Sequence, residues 1–247
     1  MRKRRAIGPT LDQLARFDPV MSIVRELDCT ALLDVGSGSR GFGALLDDSW
    51  TVTAVDTDFT DYGEVAAPGG DRIHRITADC RSLPFPDRSH DVVVSIDLLE
   101  HIPPEDRASV LSELARVARV RLVIACPVGD TALAADRNLA QYYRRRRLAQ
   151  PTWLLEHLQN GFPDSTQIVD ALAPFGRVLL QPNENIRARE RLLRLQSHRA
   201  GNWVSLLAGA ALRGGGGGSR VRGRLLRYLR GRDRTPTYRL IAVLDRS

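Results

Sequence analysis

The sequence predicts an α/β fold: a seven-stranded, mostly parallel sheet with helices on both faces and an antiparallel last strand. Three observations lead there. Between residues 31 and 125, five short apolar runs alternate with segments of helical periodicity, the pattern of βαβ units. The first run ends in a glycine-rich turn, which suits a buried parallel strand. Two further runs, 176–180 and 238–244, complete the sheet, the last as a hairpin-like return from the sixth.

In chain order, residues 10–27 place Leu11, Leu14, Phe17, Val20 and Ile23 at helical spacing, with Pro19 marking a kink or the start of a second helix. Ala31 to Val35 is a strand, and a helix through Phe42 to Leu46 is expected after it. Thr51 to Asp56, rich in β-branched residues, is the second strand. Ile73 to Ala78, Asp91 to Ile96 and Arg121 to Ala125 are the next three. A helix from Pro104 to about Val117 is marked by proline at its start and Glu105 and Asp106 in its first turn.

The 247 residues suffice for one domain with a full core, and 43% hydrophobic with 26% charged residues is ordinary for a globular chain. No apolar stretch approaches the length of a membrane span. The basic start, Met1 to Arg5, is followed by no apolar segment of the signal-peptide kind, so the cytoplasm is the expected compartment. Cys29, Cys80 and Cys126 are widely spaced, with no CxxC pair or Cys/His cluster, so neither a disulfide framework nor a metal site is expected. The net charge of +7 is uneven: residues 1–183 hold 21 basic and 25 acidic side chains, whereas residues 184–234 hold 13 and 3. The domain therefore reads as an N-terminal helical segment (1–30), a core (31–183), a basic insertion (184–234) and a final strand (235–247).

The strongest chemical signal is Leu32-Leu33-Asp34-Val35-Gly36-Ser37-Gly38-Ser39-Arg40-Gly41. Glycines after a strand let the backbone approach a ligand where side chains would collide. Asp56 ends the second strand 20 residues after Gly36, where a carboxylate can accept both hydroxyls of a ribose. Asp34 puts an acid beside the loop, which suits a positively charged amino-acid moiety and repels a pyrophosphate. Asp79, after the third strand, can accept from an adenine amine. Each acid alone reads equally well as a solvated strand end; together they point to a nucleoside cofactor.

Residues Leu32 to Pro127 resemble the class I, Rossmann-like methyltransferase domain of the small-molecule "type 11" kind. The matching pieces are LLDVGSG, VTAVDTD, ADCRSLPFPDRSHDVVVSIDLLEHIPPEDR, LSELARV and LVIACP, with His90 where the family usually has phenylalanine and Ser37 where it has cysteine. The resemblance implies S-adenosylmethionine as cofactor and S-adenosylhomocysteine as product. It lays the backbone of Gly36, Ser37 and Gly38 along the methionine part, Asp56 with Thr57 at the ribose, Asp79 with Cys80 at the adenine, and the Ile96–Asp97 edge at the methyl-proximal rim. A small-molecule acceptor (a sugar, lipid-linked or secondary-metabolite oxygen or nitrogen) is the implied substrate.

Methyl transfer chiefly needs alignment and exclusion of water, and a general base when the acceptor is a hydroxyl or protonated amine. His101, after the fourth strand, is the candidate base, or else it orders its loop. Asp97 lines the cofactor, tunes the acceptor or caps the next helix. Glu156 and His157 line the acceptor pocket, or else form the wet face of a helix packed by Trp153, Leu154 and Leu158. Arg144 to Arg147 reads as a solvated helix face rather than an anion site.

In the insertion, Trp203 to Leu212 is apolar, Gly214 to Gly218 reads as a hinge, and Arg220 to Arg232 as a basic amphipathic helix. Such a segment suits an anionic membrane surface or a lipid-linked substrate, or is a loop without a specific partner. Few aromatics accompany the charge, which disfavours nucleic acid. Two rival functions stand beside methyl transfer. One is a non-catalytic S-adenosylmethionine-binding or membrane-recruited protein. The other is a nicotinamide-dependent oxidoreductase or epimerase, disfavoured because Lys3 is the only lysine and no Tyr-x-x-x-Lys pair exists.

Overall fold

The computed structural model describes residues 10–39, 41–60, 72–213, 223, 228 and 236–246. Its seven strands are β1 (Ala31–Val35), β2 (Thr51–Asp56), β3 (Ile73–Thr77), β4 (His90–Ile96), β5 (Ala118–Pro127), β6 (Arg177–Asn185) and β7 (Thr237–Asp245). They form one sheet in the order β3-β2-β1-β4-β5-β7-β6. Strands β1 to β5 pair in parallel, and β7 lies antiparallel between β5 and β6. Six strands thus run one way and one the other, and the order reverses beside β1, where open α/β sheets form their binding crevice.

Period-two alternation divides the strand residues between two cores. Leu33, Val55, Val93, Leu122 and Ile124 face α2 (Arg107–Val117) and α5 (Ser165–Leu172), meeting Val110, Leu111, Leu114 and Ile168. Leu32, Val52, Val92, Val94, Val123 and Ile241 face the opposite way and cover Phe17, Val20 and Ile23 of α1 (Leu11–Val24). Burial on both faces is why these strands read as continuous apolar runs. Each such side chain stabilises the fold by roughly 1.5–3 kcal/mol.

Helix α1 starts with a capping box, Thr10 and Gln13 each satisfying the other's backbone N–H. It runs unbroken through Pro19, which has no N–H to give the carbonyl four residues back. That carbonyl, on Ala15, accepts instead from Asn183 Nδ2 of β6 at 3.3 Å. No second helix starts at Pro19, and a side-chain donor from the sheet takes the place of the lost N–H.

The helix expected at Phe42–Leu46 is a single 3-10 turn, Phe42–Leu45, with Leu46 already extended. Two contacts hold it short: Asp34 Oδ2 accepts from the Gly43 N–H, and a Cβ on Gly43 would sit 2.7 Å from Val52. The helix expected from Pro104 begins with a 3-10 turn, Pro104–Asp106, before α2. Strand β6 continues to Asn185, past the point where the insertion was placed, and α6 (Ile186–Gln196) and α7 (Arg199–Arg213) follow. The Gly214–Gly218 hinge lies outside the described residues, as does the Arg220–Arg232 helix apart from Gly223 and Tyr228. Among the described residues no helix is long and apolar enough to cross a membrane.

Candidate functional site

A cavity of about 960 Å³ opens at the carboxyl ends of β1, β2 and β4. Its floor is the glycine turn. Gly36 and Gly38 both adopt left-handed backbone (φ 75° and 55°), which favours glycine, and a Cβ on Gly36 would press Leu98 at 3.0 Å. The N–H groups of Gly36 and Ser37 both donate to the Val55 carbonyl, and the Gly38 N–H donates to Asp56 Oδ2 at 2.7 Å. Strand β2 therefore fixes the loop through its last two residues.

Of the residues assigned to a cofactor, Gly36, Ser37, Gly38, Asp56, Thr57, Asp79, Cys80 and Ile96 all line this cavity. Asp79 is gripped by Arg81, whose Nε lies 3.0 Å from both carboxylate oxygens, and hydrogen bonding to that guanidinium holds its pKa down. Burial pushes the Cys80 thiol up to about 11, so it stays protonated.

Asp34 is 2% exposed and lies beneath the loop rather than on the cavity wall. Burial raises its pKa to about 7 against hydrogen bonds from the Gly43 and Phe42 backbone. It is a brace between the glycine turn and the 3-10 turn, accepting from the Gly43 N–H. Gly41 completes the brace, because a Cβ there would meet Asp34 Oδ2 at 2.5 Å.

Asp97, at the end of β4, has φ 57° and lies within ion-pair range of both Arg16 of α1 and Arg239 of β7. Arg239 also donates from Nε to Glu184 Oε2 at 3.0 Å. A carboxylate placed between two guanidinium groups suits positioning better than proton transfer.

At the far end, α4 (Thr152–Asn160) brings Glu156 and His157 toward the cavity. His101 Nδ1 lies 2.6 Å from Glu156 Oε2, and His157 Nδ1 lies 2.7 Å from Asp136 Oδ2 on α3 (Gly129–Arg145). The two rings are 5.1 Å apart. His157 is buried against Trp153 and Phe162, and that burial lowers its pKa although Asp136 opposes the shift. Burial alone would raise the Asp136 pKa, but Arg189, His157 and Tyr238 hold it low. With Asp136 an acceptor only, the His157 proton sits on Nδ1 and the Nε2 lone pair is left free of that bond. Buried Arg107 clamps the two segments, donating to the carbonyls of Leu99, Ile102, Asn160 and Gly161 at 2.7–3.1 Å. His157 is therefore not on a wet face, while the Glu156 side chain stays 38% exposed. Arg144 to Arg147 are exposed, as expected of a solvated face.

The helices of the insertion roof this cavity. Arg189 of α6 donates to Asp136 Oδ1 at 2.9 Å, Gln196 donates to Asp12 Oδ1 at 2.7 Å, and Ser205 Oγ of α7 accepts from the Leu11 N–H. Arg16, Asp136, Arg189, Tyr238 and Arg239 carry no motif in the sequence, and Glu100 entered only within the DLLEHIPPEDR stretch. The one available signal was Arg239, a lone charge inside the apolar run of β7.

A glycine turn, strand-end acids and a cavity at the sheet's switch point together define a class I methyltransferase architecture. Residues 33–126 match the family described as a methyltransferase domain. A comparison with curated protein sequences gives no match. Solved structures share the fold. A proposed methyltransferase of an antibiotic biosynthesis pathway from Anabaena variabilis matches at 17% identity and TM-score 0.53, over 92% of this chain and 98% of its own. Phosphoethanolamine N-methyltransferase 2 of Haemonchus contortus, in complex with S-adenosyl-L-methionine, matches at 16% identity and TM-score 0.54, over 94% of this chain and 53% of its own. The [4+2]-cyclase SpnF matches at 16% and 0.51, over 92% and 81%.

Proposed function

We propose that this protein transfers a methyl group from S-adenosylmethionine to a small-molecule acceptor. The observation that carries the reading is one continuous cavity: its floor is the Gly36–Gly38 backbone tied to Asp56, and its far wall is the His101–Glu156 pair. The residues fit the cofactor, because left-handed glycines leave backbone bare to the cavity and Asp56 and Asp79 offer carboxylate oxygens there. Bound S-adenosylmethionine would supply a methyl carbon already made electrophilic by its sulfonium. Asp56 and Thr57 would hold the ribose, and Asp79 with Cys80 the adenine.

The chain's remaining work is at the acceptor. The carboxylate of Glu156 orients the His101 ring through Nδ1, so Nε2 is the atom that takes a hydroxyl proton. Helices α1, α4 and α6 close the space and keep water from competing. The missing helix after the glycine turn bears on the nicotinamide rival: a 3-10 turn gives a pyrophosphate no α-helix N-terminus to bind.

Calorimetric titration with S-adenosylhomocysteine, with NAD as control, tests the reading. Micromolar binding of the homocysteine compound alone, weakened at least about tenfold (1.4 kcal/mol) in Asp56→Ala, is expected. Binding of NAD, or of neither, would overturn it. Binding without turnover on any acceptor would favour a non-catalytic cofactor-binding protein.

A peripheral membrane location in the cytoplasm is part of the same reading. On α7, Trp203, Val204 and Leu207 are 59%, 57% and 66% exposed, within a segment rich in arginine. Such a face would bring an anionic membrane or a lipid-linked acceptor to the cavity's roof. Co-sedimentation with phosphatidylserine vesicles but not with phosphatidylcholine ones is expected, and equal loss from both would remove this part.

A further inference from the structure

We propose that Glu100, His101 and His157 bind a divalent first-row transition cation at the acceptor end of the cavity. Among the described residues these three bring their ligating atoms within 4.8 Å of one another. His157 Nε2 lies 3.9 Å from Glu100 Oε1. Bonds of about 2.0–2.2 Å need ligand atoms roughly 3.0–3.5 Å apart, so side-chain shifts of about an ångström complete the set.

Three further features point to a cation. The first is Glu100 itself: it is 1% exposed, and its Oε2 has no hydrogen-bond partner. A buried, unpartnered carboxylate oxygen is costly and is rare in folded proteins. The second is the orientation of both histidines. Each has its Nδ1 held by a carboxylate, Glu156 for His101 and Asp136 for His157. That arrangement presents the two Nε2 atoms, as carboxylates do behind metal-bound histidines. The third is the anchoring of the second carboxylate, because Asp136 also accepts from Tyr238 and Arg189. Two imidazoles and one carboxylate favour Zn²⁺, Mn²⁺, Fe²⁺ or Co²⁺ over Mg²⁺ or Ca²⁺. Three protein ligands leave positions open toward the cavity, the pattern of a reactive rather than a structural site.

The cation's role, unlike its binding, rests on the methyl-transfer reading. An acceptor hydroxyl in an open position would lose its proton to water more readily, the O–H pair staying on an oxygen stabilised by the cation. His101 Nε2 is then a ligand, and activation of the acceptor passes from imidazole to metal.

The test uses full-length protein, stripped of metal by a chelator and titrated with Co²⁺. One equivalent should bind and give a visible ligand-field band, which Zn²⁺ then displaces. Glu100→Gln and His157→Gln should each abolish the band. Because both sites are buried, His101→Gln at the cavity wall serves as the variant that keeps its fold, and it should abolish the band too. Glu156→Gln should weaken binding by roughly 10–100-fold. Absence of stoichiometric binding, or a band unchanged in His101→Gln, overturns the site. Titration with S-adenosylhomocysteine separates the two readings: cobalt binding without cofactor binding keeps the metal site and removes its assigned role.

Discussion

Asp136 offers a measure of how far the roof of the cavity depends on one buried charge. It is fully buried and accepts from His157 Nδ1 at 2.7 Å, Tyr238 Oη at 2.8 Å and Arg189 Nη1 at 2.9 Å. Asp136→Ala leaves Arg189 buried without its partner, its guanidinium still 3.4 Å from the centre of the Tyr238 ring. Removing one member of a buried pair costs about 3–5 kcal/mol, and the two orphaned neutral donors bring the total to the upper part of that range. At about 2–4 °C per kcal/mol for a chain of this size, Tm should fall by roughly 8–20 °C. Urea unfolding with tryptophan fluorescence reads the same loss. The double variant Asp136→Leu with Arg189→Met removes both charges and should recover much of the stability, since apolar replacements of buried pairs are often near neutral. A loss under about 1 kcal/mol in the single variant, or simple additivity in the double, would refute the view that this pair fastens α6 to the core.

Three further outcomes follow from the same contacts. Gly41→Ala puts a methyl 2.5 Å from Asp34 Oδ2 and 2.9 Å from the Ser37 carbonyl; we expect a loss of about 1–3 kcal/mol with weaker S-adenosylhomocysteine binding, and unchanged Tm and affinity would contradict it. Asp34→Asn should flatten a pH dependence: burial lifts the folded pKa from 3.8 to about 7, so between those values the folded state keeps a proton the unfolded chain has lost. Stability from this group is therefore present below pH 4 and falls as pH rises to 7, on the order of 3–4 kcal/mol, and urea midpoints that differ equally at pH 4.5 and 7.5 would count against it. Asn183→Ala should cost about 1–3 kcal/mol by stranding the Ala15 carbonyl, and adding Pro19→Ala, which restores the helical N–H, should rescue it; no rescue would mean that Asn183 stabilises some other contact.

The sheet was legible because burial on both faces of parallel strands writes itself as apolar runs, and the runs at 31–35, 51–56 and 238–244 lie within β1, β2 and β7. The glycine turn and Asp56 were legible for a local reason as well: left-handed backbone asks for glycine, and an acid at a strand end needs only the strand to be placed. The depth of Asp34 was not legible, because its neighbours in sequence say nothing of it; Gly41 packs against its carboxylate and Gly43 donates to it while packing against Val52 of β2. At the far end of the cavity the sequence offered His101, Glu156 and His157, but what pairs with what belongs to tertiary structure. Glu100, Asp136, Glu156, Arg189 and Tyr238 are spread over more than a hundred residues, and no spacing rule connects them. What joins them is the cost of burying charge: each ionised or polar group taken from water had to find a partner, and the fold supplied those partners from α3, α4, α6 and β7.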